Sequence, residues 1–228
     1  MKVYLLCNAH IDPMWQWDWE EGAASAVSTF RCAADFCEEF DGFVFNHNEA
    51  LLYRWIEEYE PALFQRIVRL VKEGKWRIMG GWTLQPDCNL PSGESIIGHI
   101  QDGNAYFEEK FGIRPHVAVN VDSFGHSRGL VQILRKCGYD GYLFMRPQEH
   151  LLTLPSDDFL WEGYGGESIV THRFNHWYNA PLGQAAEKIA SLVERGEKER
   201  KDTLLILWGG WATTAAGLPA WISVRLSS

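Results

Sequence analysis

Short apolar runs alternate with longer amphipathic stretches along the whole chain, and this alternation leaves few architectures open. Val3 to Ala9 reads as a strand and Gly22 to Phe40 as a helix. Phe43 to His47 reads as a strand, and Glu49 to Lys72 as a helix broken near Pro61. Lys75 to Trp82 is a strand ended by Gly80-Gly81, and Ser92 to Lys110 a helix with Ser92 as its N-cap. His116 to Val121 is a strand, and Gly129 to Cys137 a helix with Gly138 at the C′ position. Tyr142 to Met145 is a strand. Phe159 to Glu162 and Ser168 to Arg173 flank Tyr164-Gly165-Gly166, a hairpin signal. Leu182 to Lys201 is a helix and Thr203 to Trp208 a strand. Strands alternating with helices imply parallel βαβ units. A barrel and an open doubly wound sheet both satisfy the pattern. Both collect functional residues at the C-terminal ends of strands.

With 228 residues, 46% of them hydrophobic, the chain can bury a substantial core and is no disordered tail. Its 21 Lys+Arg against 30 Asp+Glu give a formal charge of −9, with no basic cluster, so we expect no nucleic-acid partner. No apolar run approaches the ~18 residues of a membrane span, so none is expected there either. Val3 to Cys7 is too short for a signal-peptide core and reads as a buried strand. The odd count of five cysteines, without a CxxC pair, fits reduced thiols and a cytoplasmic protein.

Polar residues gather where the strands end. His10 and Asp12 follow the first strand, two positions apart. In extended backbone they face the same side, so an imidazole nitrogen and a carboxylate oxygen can meet one divalent ion. Alternatively, both are satisfied by backbone hydrogen bonds. Asp122 ends an apolar strand and must be solvated, paired or metal-bound there. Capping the next helix is its other reading, although Ser127 competes for that role. Trp15, Trp17 and Trp19 could pack under the loop, or Trp15 could stack on a ligand. His126 reads as a support for its loop rather than as a ligand. Arg146, at another strand end, could clamp a ligand or pair with a local acid. His47, His99, His116, His150, His172 and His176 show no ligand spacing. The eleven tryptophans are core residues or flat platforms, and composition does not choose between these.

Three blocks together resemble the N-terminal catalytic domain of the glycoside hydrolase family 38 α-mannosidases. They are Asn8-Ala9-His10-Ile11-Asp12-Pro13-Met14-Trp15, Gly80-Gly81-Trp82, and Val121-Asp122-Ser123-Phe124-Gly125-His126-Ser127. Cys137-Gly138-Tyr139-Asp140 and Arg146-Pro147 also fit, and the resemblance runs from about Lys2 to Trp208. Ser123 stands where many members have Pro. The resemblance implies an α/β fold, a seven-stranded parallel β/α barrel, C-terminally incomplete. It implies a divalent ion, Zn2+ or else Co2+, held by His10, Asp12 and Asp122, with Asp122 also the catalytic nucleophile. Trp15 becomes a sugar platform and Arg146 a pocket residue. Trp82 and Asp87 join them as candidate substrate-binding residues. The expected activity is retaining hydrolysis of terminal α-mannosides, alone or within mannose-containing oligosaccharides.

The resemblance also places a general acid and a fourth ligand, a histidine, beyond Trp208. Asp87 and Glu49 are the nearest substitutes for the acid. Residues 1–208 are assigned to the catalytic domain and 209–228 to a tail without family character. Back-translated one base earlier, the tail can encode Val-Gly-Asn-His-Gly-Gly-Gly-Pro-Thr, which resembles the family's glycine-rich loop. The expectation is a frameshifted, truncated product, weakly active or inactive without the C-terminal domains of the full-length enzyme. Two other readings are a metal-dependent polysaccharide deacetylase-like hydrolase and a non-catalytic carbohydrate-binding domain.

Overall fold

The computed structural model describes residues 1–179 and 184–209. In order these form β1 (Lys2–Cys7), α1 (Trp19–Glu39), β2 (Phe45–Glu49), α2 (Ala50–Tyr59), α3 (Pro61–Lys72) and β3 (Trp76–Trp82). Then come α4 (Gly93–Phe111), β4 (Val117–Asn120), α5 (Leu130–Lys136), β5 (Gly141–Phe144), β6 (Asp158–Glu162), β7 (Ser168–Arg173), α6 (Ala185–Lys198) and β8 (Thr203–Trp208). The start expected for α6 at Leu182 and the tail beyond Gly209 lie outside the described residues.

Local chemistry explains several boundaries. Pro61 cannot donate a helical hydrogen bond, so the stretch from residue 50 to 72 splits into α2 and α3, with Pro61 opening the second. Ser92 Oγ accepts the Ser95 N–H at 3.2 Å and caps α4. Gly138, at φ +91°, lets the Tyr139 N–H reach back to the Leu134 carbonyl and closes α5. Strand β2 starts and ends two residues later than the hydropathy suggests, carrying Glu49 into the sheet.

The strands form two four-stranded sheets, in the orders β3-β2-β1-β8 and β4-β5-β7-β6. Every pairing is parallel except the β6–β7 hairpin. Among the described residues the sheets do not close into the single seven-stranded ladder that the family resemblance implies. At one junction, consecutive positive-φ glycines, Gly80 and Gly81, divert the end of β3. The Trp82 indole N–H then bridges to the Val119 carbonyl on β4 at 2.7 Å. At the other junction, Gly209 N–H donates to Tyr178 O at 2.9 Å.

An apolar cluster lies between the sheets, with Val119, Val121, Met145, Phe174, Tyr178 and Leu207 buried in it. A larger core packs α1, α2 and α3 on the first sheet around Phe30, Phe45, Tyr53 and Trp76. The buried Trp76 indole N–H donates to Tyr53 Oη at 2.8 Å, so its polar atom is satisfied inside the core. Each such side chain contributes about 2–3 kcal/mol by leaving water. The result fixes the C-terminal ends of β1, β4 and β5 around one opening.

Candidate functional site

His10 and Asp12 lie in the loop after β1, and Asp122 and Arg146 each lie two residues past the ends of β4 and β5. His10 Nε2 stands 3.2 Å from Asp12 Oδ1 and 3.9 Å from Asp122 Oδ2. One potential ligand atom from each of the three lies within 4.8 Å of the others. They border a cavity of about 150 Å3 that Gln85, Asp87, Asn120 and Phe124 also line.

A nitrogen and two carboxylate oxygens form a donor set suited to a divalent cation. The His10 ring supplies a fit test: Nε2 is buried and has no partner in hydrogen-bond geometry, although two carboxylates stand close. A buried polar atom left in that state points to a further group. Burial pushes the His10 pKa down, but the close Asp12 carboxylate and the charges of Glu49 and Asp122 outweigh it, and the net shift is upward. The cluster therefore favours a positive charge at its centre, on the ring or on an ion.

The supporting residues fix this geometry. Trp17 Nε1 donates to the Asp12 carbonyl at 3.1 Å and holds the loop. Arg146 Nε donates to Asp122 Oδ1 at 2.5 Å. The Arg146 guanidinium carbon lies 4.5 Å from the Phe124 ring centroid and 4.8 Å from that of Trp177. His126 supports its loop, as its sequence setting suggested. Its Nε2 lies 2.6 Å from the Arg146 carbonyl and its Nδ1 2.7 Å from Tyr142 Oη. A carbonyl only accepts, so Nε2 carries the proton and Nδ1 accepts the tyrosine hydroxyl. Asp122 caps no helix: α5 begins at Leu130, and Ser127 Oγ accepts the Gly129 N–H at its entrance.

Not every candidate residue meets at the opening. Asp87 borders the cavity, but its Oδ1 accepts the Asn89 N–H at 2.9 Å. Trp15 is 60% exposed and packs edge-on against Trp17, outside the cavity lining. Trp82 is fully buried, stacked on Tyr139, with its indole N–H spent on Val119; it holds the sheet junction and presents no face to a sugar. Glu49 is also buried, with Oε1 accepting the Gln85 N–H at 3.0 Å, and does not line the cavity. Burial raises its pKa.

Four residues at the site escaped the sequence reading. Gln85 bridges His10 and Val121. Tyr178 meets the His10 ring edge-on at 6.1 Å between centroids. Phe124 and Trp177 flank Arg146 and are 77% and 43% exposed. Phe124 carried a signal two positions from Asp122, and Trp177 and Tyr178 carried one as an adjacent aromatic pair. Gln85 carried none.

The Glycosyl hydrolases family 38 N-terminal domain profile matches residues 1–220. Alpha-mannosidase G of Dictyostelium discoideum is 31% identical over 172 residues, covering 75% of this chain and 16% of that protein. Alpha-mannosidase 2C1 of Mus musculus is 28% identical over 208 residues, covering 91% of this chain and 20% of that protein. The chain thus spans about a fifth or less of the length of these curated relatives. A crystal structure of an alpha-mannosidase from Enterococcus faecalis superimposes with a TM-score of 0.79 at 20% identity, over 94% of this chain and 26% of that one. A 4-alpha-glucanotransferase from Thermococcus litoralis gives 0.69 at 18% identity, over 97% of this chain and 34% of that one.

Proposed function

Since the chain belongs to the glycosyl hydrolase family 38 N-terminal domain family, we propose that it carries the nucleophile and metal-binding part of a retaining α-mannosidase. The observation that carries this reading is the meeting of His10, Asp12 and Asp122 at one opening. The two sheets are then facing arcs of an open, seven-stranded parallel barrel within residues 1–208, with β6 added as an antiparallel strand.

In this reading His10, Asp12 and Asp122 hold a divalent cation, with Zn2+ the first choice for a mixed nitrogen and carboxylate set. When bound, the cation supplies charge that orients the hydroxyls of a mannosyl ring. Asp122 attacks the anomeric carbon, displaces the leaving oxygen and forms a mannosyl ester, which water then opens with a second inversion. Arg146 keeps Oδ1 fixed so that the carboxylate does not rotate away. The exposed faces of Phe124 and Trp177 offer apolar platforms beside it for the sugar. Proton delivery to the leaving oxygen is assigned to none of the described residues. We therefore propose that the chain alone turns over ordinary mannosides weakly or not at all.

A fluorinated mannosyl fluoride tests the nucleophile apart from proton delivery, because fluoride leaves without a general acid. The expected result is a covalent mannosyl adduct mapped by mass spectrometry to Asp122 and absent from Asp122→Asn. Labelling at another carboxylate, or none in a folded and zinc-loaded chain, would overturn the nucleophile assignment.

A further inference from the structure

We infer that Gln85 is a positioning residue that sets which nitrogen of His10 carries the proton, and that its amide weakens cation binding at the His10–Asp12–Asp122 cluster. The inference rests on the metal reading above. Gln85 is held from three sides. Its backbone N–H donates to Glu49 Oε1 at 3.0 Å, its side-chain oxygen accepts the Val121 N–H at 2.5 Å, and its Nε2 lies 2.8 Å from His10 Nδ1.

The donor and acceptor roles follow from chemistry. A backbone N–H can only donate, so the amide oxygen must face Val121 and the NH2 group must face His10. In the neutral ring, His10 Nδ1 is therefore an acceptor. A neutral imidazole with an accepting Nδ1 carries its proton on Nε2. Nε2 is the atom that faces Asp12 and Asp122, where a cation would need a lone pair. Moving the proton to Nδ1 sets it against the Gln85 NH2. Flipping the amide sets that NH2 against Val121 N–H. In either arrangement, two donors face each other when the ion binds.

A glutamate at position 85 would remove the conflict. One oxygen would accept Val121 N–H and the other His10 Nδ1–H, the carboxylate–histidine–metal arrangement that favours ligation. Groups that hydrogen-bond the far nitrogen of a ligating histidine change metal affinity by about 10–100-fold. We expect Gln85→Glu to tighten zinc binding by about 10-fold or more. Gln85→Met adds no charge and removes the opposing NH2, so its affinity should fall between the two.

The experiment measures zinc affinity of the chain by chelator competition in wild type, Q85E, Q85M and D122N. Nitrogen NMR of the zinc-free imidazole, at a pH where the ring is neutral, supplies a second readout. The expected spectra show Nε2–H in wild type and Nδ1–H in Q85E. Nδ1–H already in wild type, or a folded Q85M no tighter than wild type, would overturn the inference. Zinc binding unaffected by D122N would instead overturn the metal reading, while the tautomer spectra still decide what Gln85 does to His10.

Discussion

Arg146 and Asp122 extend the parallel register of β5 and β4 by two residues beyond the Phe144–Asn120 pair, and there they meet through Nε and Oδ1 at 2.5 Å. The pairing divides the carboxylate. Oδ1 belongs to the arginine, and Oδ2 faces His10 at 3.9 Å. A planar cation flanked by two aromatic rings, with its carbonyl held by His126, keeps the nucleophile candidate in one orientation.

Arg146→Lys should therefore not behave as a conservative change. An ammonium keeps the charge but loses the planar face and the Nε–H directed at Oδ1. Loss of one charge-assisted hydrogen bond and of stacking at a partly exposed site should lower stability by about 1–2 kcal/mol. Urea denaturation of both proteins checks this. Equal midpoints and slopes would show that the ring contacts and the fork geometry contribute nothing.

Cation binding should appear as stability, because a ligand held by the folded state alone shifts unfolding by mass action. At a free zinc concentration about 100-fold above Kd, the gain is about 2.7 kcal/mol. His10→Ala and Asp122→Asn should each abolish the gain, and a chelator should reverse it in wild type. A thermal shift that persists in both variants would place the zinc elsewhere.

The parts of this site that local chemistry dictates were legible before the fold was known. Spacing makes His10 and Asp12 candidates and the end of an apolar strand makes Asp122 one, each with a structural alternative left open, while Pro61 marks the α2–α3 break. Ser92 and Gly138 mark helix ends by their capping chemistry. What escaped depends on long-range meetings. Gln85 matters because the loops after β1 and β4 converge on it, and nothing in Leu84-Gln85-Pro86 says so. Trp82 entered as a substrate-binding candidate only through the Gly80-Gly81-Trp82 block, and the two positive-φ glycines before it lead it into the buried sheet junction instead.

Those glycines give a sharper test. Gly81 lies at φ +83°, and a Cβ there would sit 2.5 Å from Asn104 Oδ1 and 2.7 Å from Tyr139 Oη. Tyr139 Oη is the donor to the Gly80 carbonyl at 2.7 Å, so the clash strikes a buried polar contact. Gly166, at φ +85° in the β6–β7 turn, has nothing within 4 Å of such a Cβ. Gly166→Ala should cost about 1–2 kcal/mol for the left-handed backbone alone. Gly81→Ala should cost about 1–3 kcal/mol more, from the disturbed hydrogen bond. Equal losses in equilibrium unfolding would mean that packing at the sheet junction adapts freely.

His47 gives the chain a specific weakness to acid. Its ring is fully buried, and Nε2–H donates to the Ala9 carbonyl at 3.2 Å. Burial, with a smaller opposing effect from that bond and a further lowering from His10, brings its pKa down to about 3. Above the unfolded value of about 6.5 the ring is neutral in both states and its contribution to stability is complete. Below 6.5 the unfolded chain takes up a proton that the folded chain refuses, so stability falls as pH falls, by up to about 1.4 kcal/mol per pH unit until the folded value is reached. His176, lowered to about 4 chiefly by burial, acts in the same direction over a narrower window. His10, shifted upward, acts in the opposite one: its contribution is present at low pH and lost as pH rises through its folded value. His47→Gln keeps an amide donor for Ala9 and removes the titrating ring. Urea denaturation at about pH 6 and about pH 5 should show the wild-type slope of stability on pH exceeding that of His47→Gln by nearly one proton's worth. Identical slopes in two folded proteins would show that the buried ring takes up its proton without unfolding.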